Sequence, residues 1–153
     1  MKVFRLTRKK YRDPLSGKGA AIRGARWNSA GTEVLYTSSS RALAMTEVLV
    51  HLDRNIIPKD FVMVQVEIPD NPIAATVPVD ELPQNWNAFP YMEETQNLGD
   101  TFILKQENLI LKVPSAIVAG DYNYLINTAH PLFKKIRIDS MSDFPIDLRL
   151  FKP

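Results

Sequence analysis

Cysteine is absent from the 153-residue chain, and histidine occurs only twice, as His51 and His130. Without thiols there are no disulfides, thiolate zinc sites, iron–sulfur clusters or cysteine nucleophiles. Zinc and non-haem iron sites draw on two or three imidazoles, often on one element, so two scattered histidines argue against a metalloenzyme. No apolar run approaches a membrane span. The stretch Met1-Lys2-Val3-Phe4-Arg5-Leu6 lacks the apolar segment of a signal peptide. The expectation is a cytoplasmic protein whose chemistry, if it has any, uses carboxylates, hydroxyls and arginines, with or without an organic cofactor.

The length suits one domain with a real core and is too short for two ordinary ones. Hydrophobic residues at 45% and charged residues at 24% describe a globular protein rather than a disordered one. The net charge of +2 is unevenly spread. Residues 1–26 carry nine Lys or Arg and one acid, whereas residues 80–107 carry six acids and one Lys. The basic stretch either meets a phosphate or nucleic acid or is a solvated surface.

Local patterns predict strands at Val3–Leu6, Glu33–Thr37, Phe61–Ile68, Leu109–Val113, Ala116–Ala119 and Phe133–Ile138, and one more at the end of the chain. Lys9–Ala30 reads as a long loop, and residues 69–92 as mostly irregular. Helices are expected over 41–52, behind the N-cap candidates Ser38-Ser39-Ser40, and over 93–107 with an interruption near Gly99. Tyr122–Asn127 reads as a turn or short helix. Many strands with few helices, not strictly alternating, give a mixed α+β single domain.

Four residues stand out. Projected on a helix, residues 41–52 are apolar on both faces, which places Glu47 among apolar neighbours. A carboxylate there either sits in an active site or is exposed or paired with an arginine. Arg26 closes the Gly-rich segment and either grips a phosphate or lies on Trp27 at the surface. Tyr36 ends a strand and either stacks on a flat ring or packs in the core. Ser115 follows Pro114 and either serves a site or bonds its own backbone in a turn. No serine triad is visible.

In order, these segments resemble the RES-domain family, named for an arginine, a glutamate and a serine. The first half of the likeness is Gly24-Ala25-Arg26-Trp27-Asn28, Gly31-Thr32, Val34–Ser38, Arg41–Ala44 and Glu47–Leu52. The second is Leu98-Gly99-Asp100, Leu109–Leu111, Val113-Pro114-Ser115, Tyr122–Asn127 and His130-Pro131. The likeness spans nearly the whole chain, as one RES domain over 1–153. It implies a fold similar to ADP-ribosyltransferases, with two small β-sheets and flanking helices around an NAD cleft. It implies a toxin that degrades NAD⁺ by phosphorolysis or hydrolysis and arrests growth unless bound by its antitoxin. Some members instead transfer ADP-ribose to a protein.

By position, Arg26, Tyr36, Glu47 and Ser115 match the family's active-site residues. Contact with NAD⁺ is expected from Arg26, Trp27, Tyr36, Arg41, Ser115 and Asn127. In that reading Arg26 holds a phosphate, Tyr36 flanks the nicotinamide or its ribose, and Glu47 stabilises the developing ribosyl cation. Ser115 holds the nicotinamide end or a ribose hydroxyl. Arg41, at a helix start, is a candidate second anion site for a phosphate acceptor. No cofactor is implied beyond NAD⁺ as substrate and inorganic phosphate as a possible co-substrate. The implied partner is an Xre-type helix-turn-helix antitoxin, with DNA reached only through it and a toxin homodimer inside the complex. A non-catalytic DNA-binding module is the remaining rival, and it lacks a helix-turn-helix signature of its own.

Overall fold

The computed structural model describes residues 1–12, 14–53 and 55–151. Seven strands are β1 (Lys2–Arg8), β2 (Leu35–Ser38), β3 (Phe61–Glu67), β4 (Ala74–Thr76), β5 (Ile110–Pro114), β6 (Tyr122–Ile126) and β7 (Arg137–Asp143). Three α-helices are α1 (Lys18–Arg23), α2 (Arg41–Leu49) and α3 (Glu93–Lys105). The sheet order is β4-β5-β6-β2-β1-β3-β7, with β4 and β5 parallel and every other pair antiparallel. The architecture is α+β, as the sequence predicts.

In place of the two small sheets expected, the seven strands form one sheet, whose two halves meet between β2 and β1. β1 and β3 pair along seven positions, and β5 and β6 along five. Between the halves, β1 and β2 are joined at a single pair, Phe4↔Ser38. Ser38 is the last residue of β2, so the rest of that strand is unpaired with β1, and the cleft described below lies at this junction.

The alternation along β3 explains its burial. Val62, Val64 and Val66 enter one core with Val3, Leu35 and Ile110. Phe61 and Met63 point the other way, onto Leu6 and Ala44 under α2. β-Branched residues on a strand covered on both faces are the expected composition. A third core joins Leu111, Val113 and Leu125 to Phe102 of α3 and to Trp27. Ser40 caps α2, its side chain accepting from the Leu43 N–H at 3.1 Å. The helix ends at Leu49, and His51 and Leu52 continue it only as a turn.

Several expectations change. The long loop 9–30 contains α1, and the irregular stretch 69–92 contains β4. α3 runs through Gly99 without interruption. A Cβ there would lie 1.6 Å from the Trp27 carbonyl oxygen, so the glycine lets the helix rest on that backbone. Ala116–Ala119 is a turn, because the Ser115 hydroxyl accepts the Ile117 and Val118 N–H groups that a strand would need. Tyr122–Ile126 is a full strand. Pro131–Lys135 is a 3₁₀ turn that displaces the expected strand to Arg137–Asp143. Leu148–Phe151 is 3₁₀ rather than strand, and Lys152 and Pro153 lie outside the described residues.

Candidate active site

The cleft at the junction of the sheet halves has a volume of about 790 Å³. That volume lies in the range of roughly 300–1,000 Å³ typical of small-molecule and cofactor sites. Its walls come from β1, the segment after α1, β2, α2, the loop around Phe89 and the start of β6. A second hollow, of about 460 Å³, lies by Gly31 and Leu104. Its Asp100 already accepts from the Ser29 N–H at 3.0 Å.

Glu47 reaches the cleft from α2 and is half-buried. One carboxylate oxygen, Oε1, accepts from Ser115 Oγ at 2.8 Å and from Asn123 Nδ2 at 2.5 Å. Oε2 has no protein partner among the described residues. The Ser115 hydroxyl also accepts the N–H groups of Ile117 and Val118 at 3.1 and 3.0 Å. Its single proton and both lone pairs are thereby committed. Both alternatives for Ser115 therefore meet in one residue: it is a turn former, and it also steadies Glu47.

Tyr36 faces the cleft from β2. Its hydroxyl donates to Asn28 Oδ1 at 2.7 Å and accepts from the Trp27 N–H at 3.2 Å. Burial pushes its pKa far above the usual phenol value, so the group stays neutral. Asn28, fully buried, donates to the Ala20, Ser29 and Thr32 carbonyls and so ties down the loop that carries Arg26. Gly24 makes the turn into this segment with φ of 74°, where a side chain would be strained.

Arg26 Nη1 donates to the Trp86 carbonyl at 2.6 Å and the Ala88 carbonyl at 3.0 Å. The guanidinium lies 5.1 Å from the Tyr91 ring centroid. Burial lowers its pKa, opposed by Tyr91, Glu47 and Tyr36, and an arginine so placed remains charged. Its Nη2 and Nε have no protein partner among the described residues, which leaves donors for a ligand.

Arg5 was not singled out in the sequence, and it lines the same cleft. Its Nη1 is buried with no hydrogen-bond partner among the described residues. Burial alone lowers its pKa. A buried guanidinium nitrogen without a partner is costly in a finished fold.

With this geometry in place, a family profile described as "RES domain" matches residues 2–149. The chain belongs to the RES-domain family. It is 37% identical over 142 residues to the Prs ADP-ribosylating toxin of Sphingobium sp. (strain YBL2), covering 92% of this chain and 88% of that protein. It is 37% identical over 154 residues to a Toxin Res of Photorhabdus laumondii, covering 99% and 98%. It is 40% identical over 141 residues to a Toxin Res of Pseudomonas putida, covering 90% and 92%. A chain of the M. tuberculosis MbcT-MbcA toxin-antitoxin complex superposes with a TM-score of 0.75 at 18% identity, covering 98% of this chain and 86% of that one. The last comparison establishes the fold.

Of the six expected contact residues of this RES domain, Arg26, Trp27 and Tyr36 line the cleft, whereas Arg41, Ser115 and Asn127 do not. Arg41 does not line the cleft. Its Nη2 donates to Gln65 Oε1 at 2.8 Å, and its guanidinium lies 4.8 Å from the Phe4 ring centroid. The helix start that suggested an anion site is spent on this packing. Asn127 is fully buried and caps the end of α3. It donates to the Phe102 and Ile103 carbonyls, and its Oδ1 accepts the Ala129 N–H. Trp27 borders the cleft but is only 2% exposed, its ring packed 5.8 Å from that of Trp86.

The basic N-terminal stretch divides in two. Arg5, Arg23 and Arg26 line the cleft. Lys2, Arg8 and Lys9 pair with Asp139, Asp60 and Asp143. Three of the nine basic residues are thus in ordinary surface pairs. His51 stands at the cleft edge, whereas His130 Nδ1 accepts the Leu132 N–H and caps a 3₁₀ turn. Among the described residues no cluster of three or more His, Asp or Glu is placed to hold a metal, and no helix is long and apolar enough to cross a membrane.

Proposed function

We propose that this RES domain is a toxin that breaks the nicotinamide–ribose bond of NAD⁺ and is held in check by an antitoxin. The observation that carries the reading is the pairing of charges across one cleft. Glu47 offers a steadied carboxylate, and Arg5 and Arg26 offer guanidinium donors that the protein leaves unused. A dinucleotide presents the complement, a doubly anionic pyrophosphate and a ribose that turns cationic as its base departs.

The chemistry asks little of the protein. The C1′–N bond breaks with its electron pair leaving on nicotinamide, which departs as a neutral base. An acceptor oxygen then bonds C1′ and releases a proton. Arg26 and Arg5 hold the pyrophosphate. Oε2 of Glu47 bonds ribose hydroxyls and offsets the cationic charge on the ring. Tyr36, neutral and fixed by Asn28, presents its ring to the nicotinamide or its ribose. Ser115 acts on Glu47 rather than on the substrate. No cofactor enters this scheme, and inorganic phosphate or water serves as acceptor.

A second reading, transfer of ADP-ribose to a protein, is favoured by the name of the Sphingobium relative, an ADP-ribosylating toxin. The antitoxin follows from the MbcT-MbcA complex, whose toxin fold this chain shares. In this proposal the antitoxin is of Xre type and makes the DNA contact, the toxin pairs with a second copy in the complex, and the site of action is the cytoplasm.

Incubation of the purified protein with NAD⁺, with and without inorganic phosphate, tests the reading. Free nicotinamide and ADP-ribose or its 1-phosphate are the expected products. Label from NAD⁺ on a polypeptide favours the second reading. No loss of NAD⁺ in any arm overturns both.

A further inference from the structure

Resting on the reading that Glu47 acts on the ribose, we propose that Asn123 is a positioning residue for the reaction. Held by Ser38, it divides the Glu47 carboxylate into one anchored oxygen and one working oxygen.

The hydrogen-bond polarity is fixed from one end. A carboxylate only accepts, so the group of Asn123 facing Glu47 Oε1 at 2.5 Å must be its amide nitrogen. Asn123 Oδ1 then faces Ser38 Oγ at 2.7 Å, and Ser38 must donate. The chain runs Ser38 to Asn123 to Glu47 with a single direction. Both intermediaries are buried, Ser38 at 4% and Asn123 at 8% exposure, so water competes little for these bonds.

The backbone sets this chain up. Ser38 and Asn123 are cross-strand partners in the β2–β6 register, which places their side chains on one face. Ser38 is also the residue through which β1 meets β2, opposite Phe4. Ser115 approaches the same Oε1 from the turn after β5. Two donors on one oxygen leave Oε2 as the acceptor for a ribose hydroxyl. A glutamate side chain with three free torsions becomes a fixed one, and misplacement of a reacting group by about 1 Å costs on the order of 100-fold in rate.

The test is steady-state nicotinamide release by the parent and by Asn123→Ala, Asn123→Asp, Ser38→Ala and Ser38→Thr, with Tm measured for each. Asn123→Ala is expected to lower kcat by about tenfold or more while KM changes by less than about twofold. Asn123→Asp keeps the shape, loses the donor and sets a carboxylate against a carboxylate, so it should fall at least as far as Asn123→Ala. Ser38→Ala should lower kcat, and Ser38→Thr, which keeps the hydroxyl, should restore it. The Ser38 pair decides the matter if the Asn123 variants do not fold. Parental kcat in Asn123→Ala, a loss confined to KM, or equal kcat in Ser38→Ala and Ser38→Thr overturns the inference alone. A parent that releases no nicotinamide overturns the reading of the cleft, and the inference with it.

Discussion

The hydroxyl of Ser115 gives its one proton to Glu47 and takes the N–H groups of Ile117 and Val118 on its lone pairs. Every hydrogen-bonding position of that side chain is filled before a substrate arrives. Ser115 therefore shapes the site through Glu47 and through the turn after β5, and it has nothing left to give a ligand.

Replacing Ser115 with alanine removes three bonds at a buried position. The expected cost in stability is about 1–3 kcal/mol, seen as a lower urea midpoint. The kinetic loss should appear in kcat with little change in KM. Ser115→Thr keeps the hydroxyl and should recover part of both. A Ser115→Ala protein with raised KM and parental kcat would show that the hydroxyl meets substrate after all.

Arg5 should show the opposite balance. Its guanidinium is buried without a partner for Nη1, so an apolar side chain of similar length removes a burden from the empty protein. Arg5→Met is expected to melt at the parental temperature or higher. Its KM for NAD⁺ should rise at least several-fold, because the cleft wall loses a positive charge. A thermal melt and a KM determination on the same preparation check both halves.

The phenol of Tyr36 makes a prediction about alkaline pH. Burial raises its pKa in the folded state above the ordinary value of about 10. Above that ordinary value the unfolded chain gives up the proton while the folded chain keeps it. The folded state then binds more protons, and stability falls as pH rises. The contribution is fully present below pH about 10 and is lost on the way to the folded-state pKa. Urea unfolding across pH 8 to 11 should show this decline in the parent and a shallower one in Tyr36→Phe.

Asn127 supplies the control for the site assignment. Its amide closes the end of α3 and touches no part of the cleft. Asn127→Ala should lose roughly 1–3 kcal/mol through unsatisfied carbonyls. The folded fraction should keep parental kcat and KM. A selective rise in KM at full stability would return Asn127 to the site.

Local pattern marked Glu47, Arg26 and Tyr36 without deciding their roles, and the family resemblance joined them into one site. Glu47 is a charge on a helix apolar on both faces, Arg26 ends a Gly-rich segment, and Tyr36 ends a strand. Asn123 was hidden for the opposite reason. It sits in an unremarkable strand, and its partner lies 76 positions away. Arg5 occupies the ordinary polar slot of an alternating strand, and nothing local tells a solvated arginine from a buried one. Asn127 was expected at the site only through the family resemblance, and sequence position alone does not tell a buried helix cap from a ligand contact. The Ala116–Ala119 error has a local cause, since strong strand formers were overruled by one hydroxyl claiming two backbone donors. The sheet order was not legible, because β6 enters between β2 and β5 through pairings with no trace in local composition.

That placement of β6 has a consequence in time. Arg5, Arg26, Tyr36 and Glu47 all leave the ribosome early, but Ser115 and Asn123 emerge together with the turn and strand that close the gap between β5 and β2. A growing chain that has not reached Ser115 has an open sheet edge where β6 belongs and a glutamate without either of its donors. The carboxylate of Glu47 therefore gains its anchors only after most of the chain has been made.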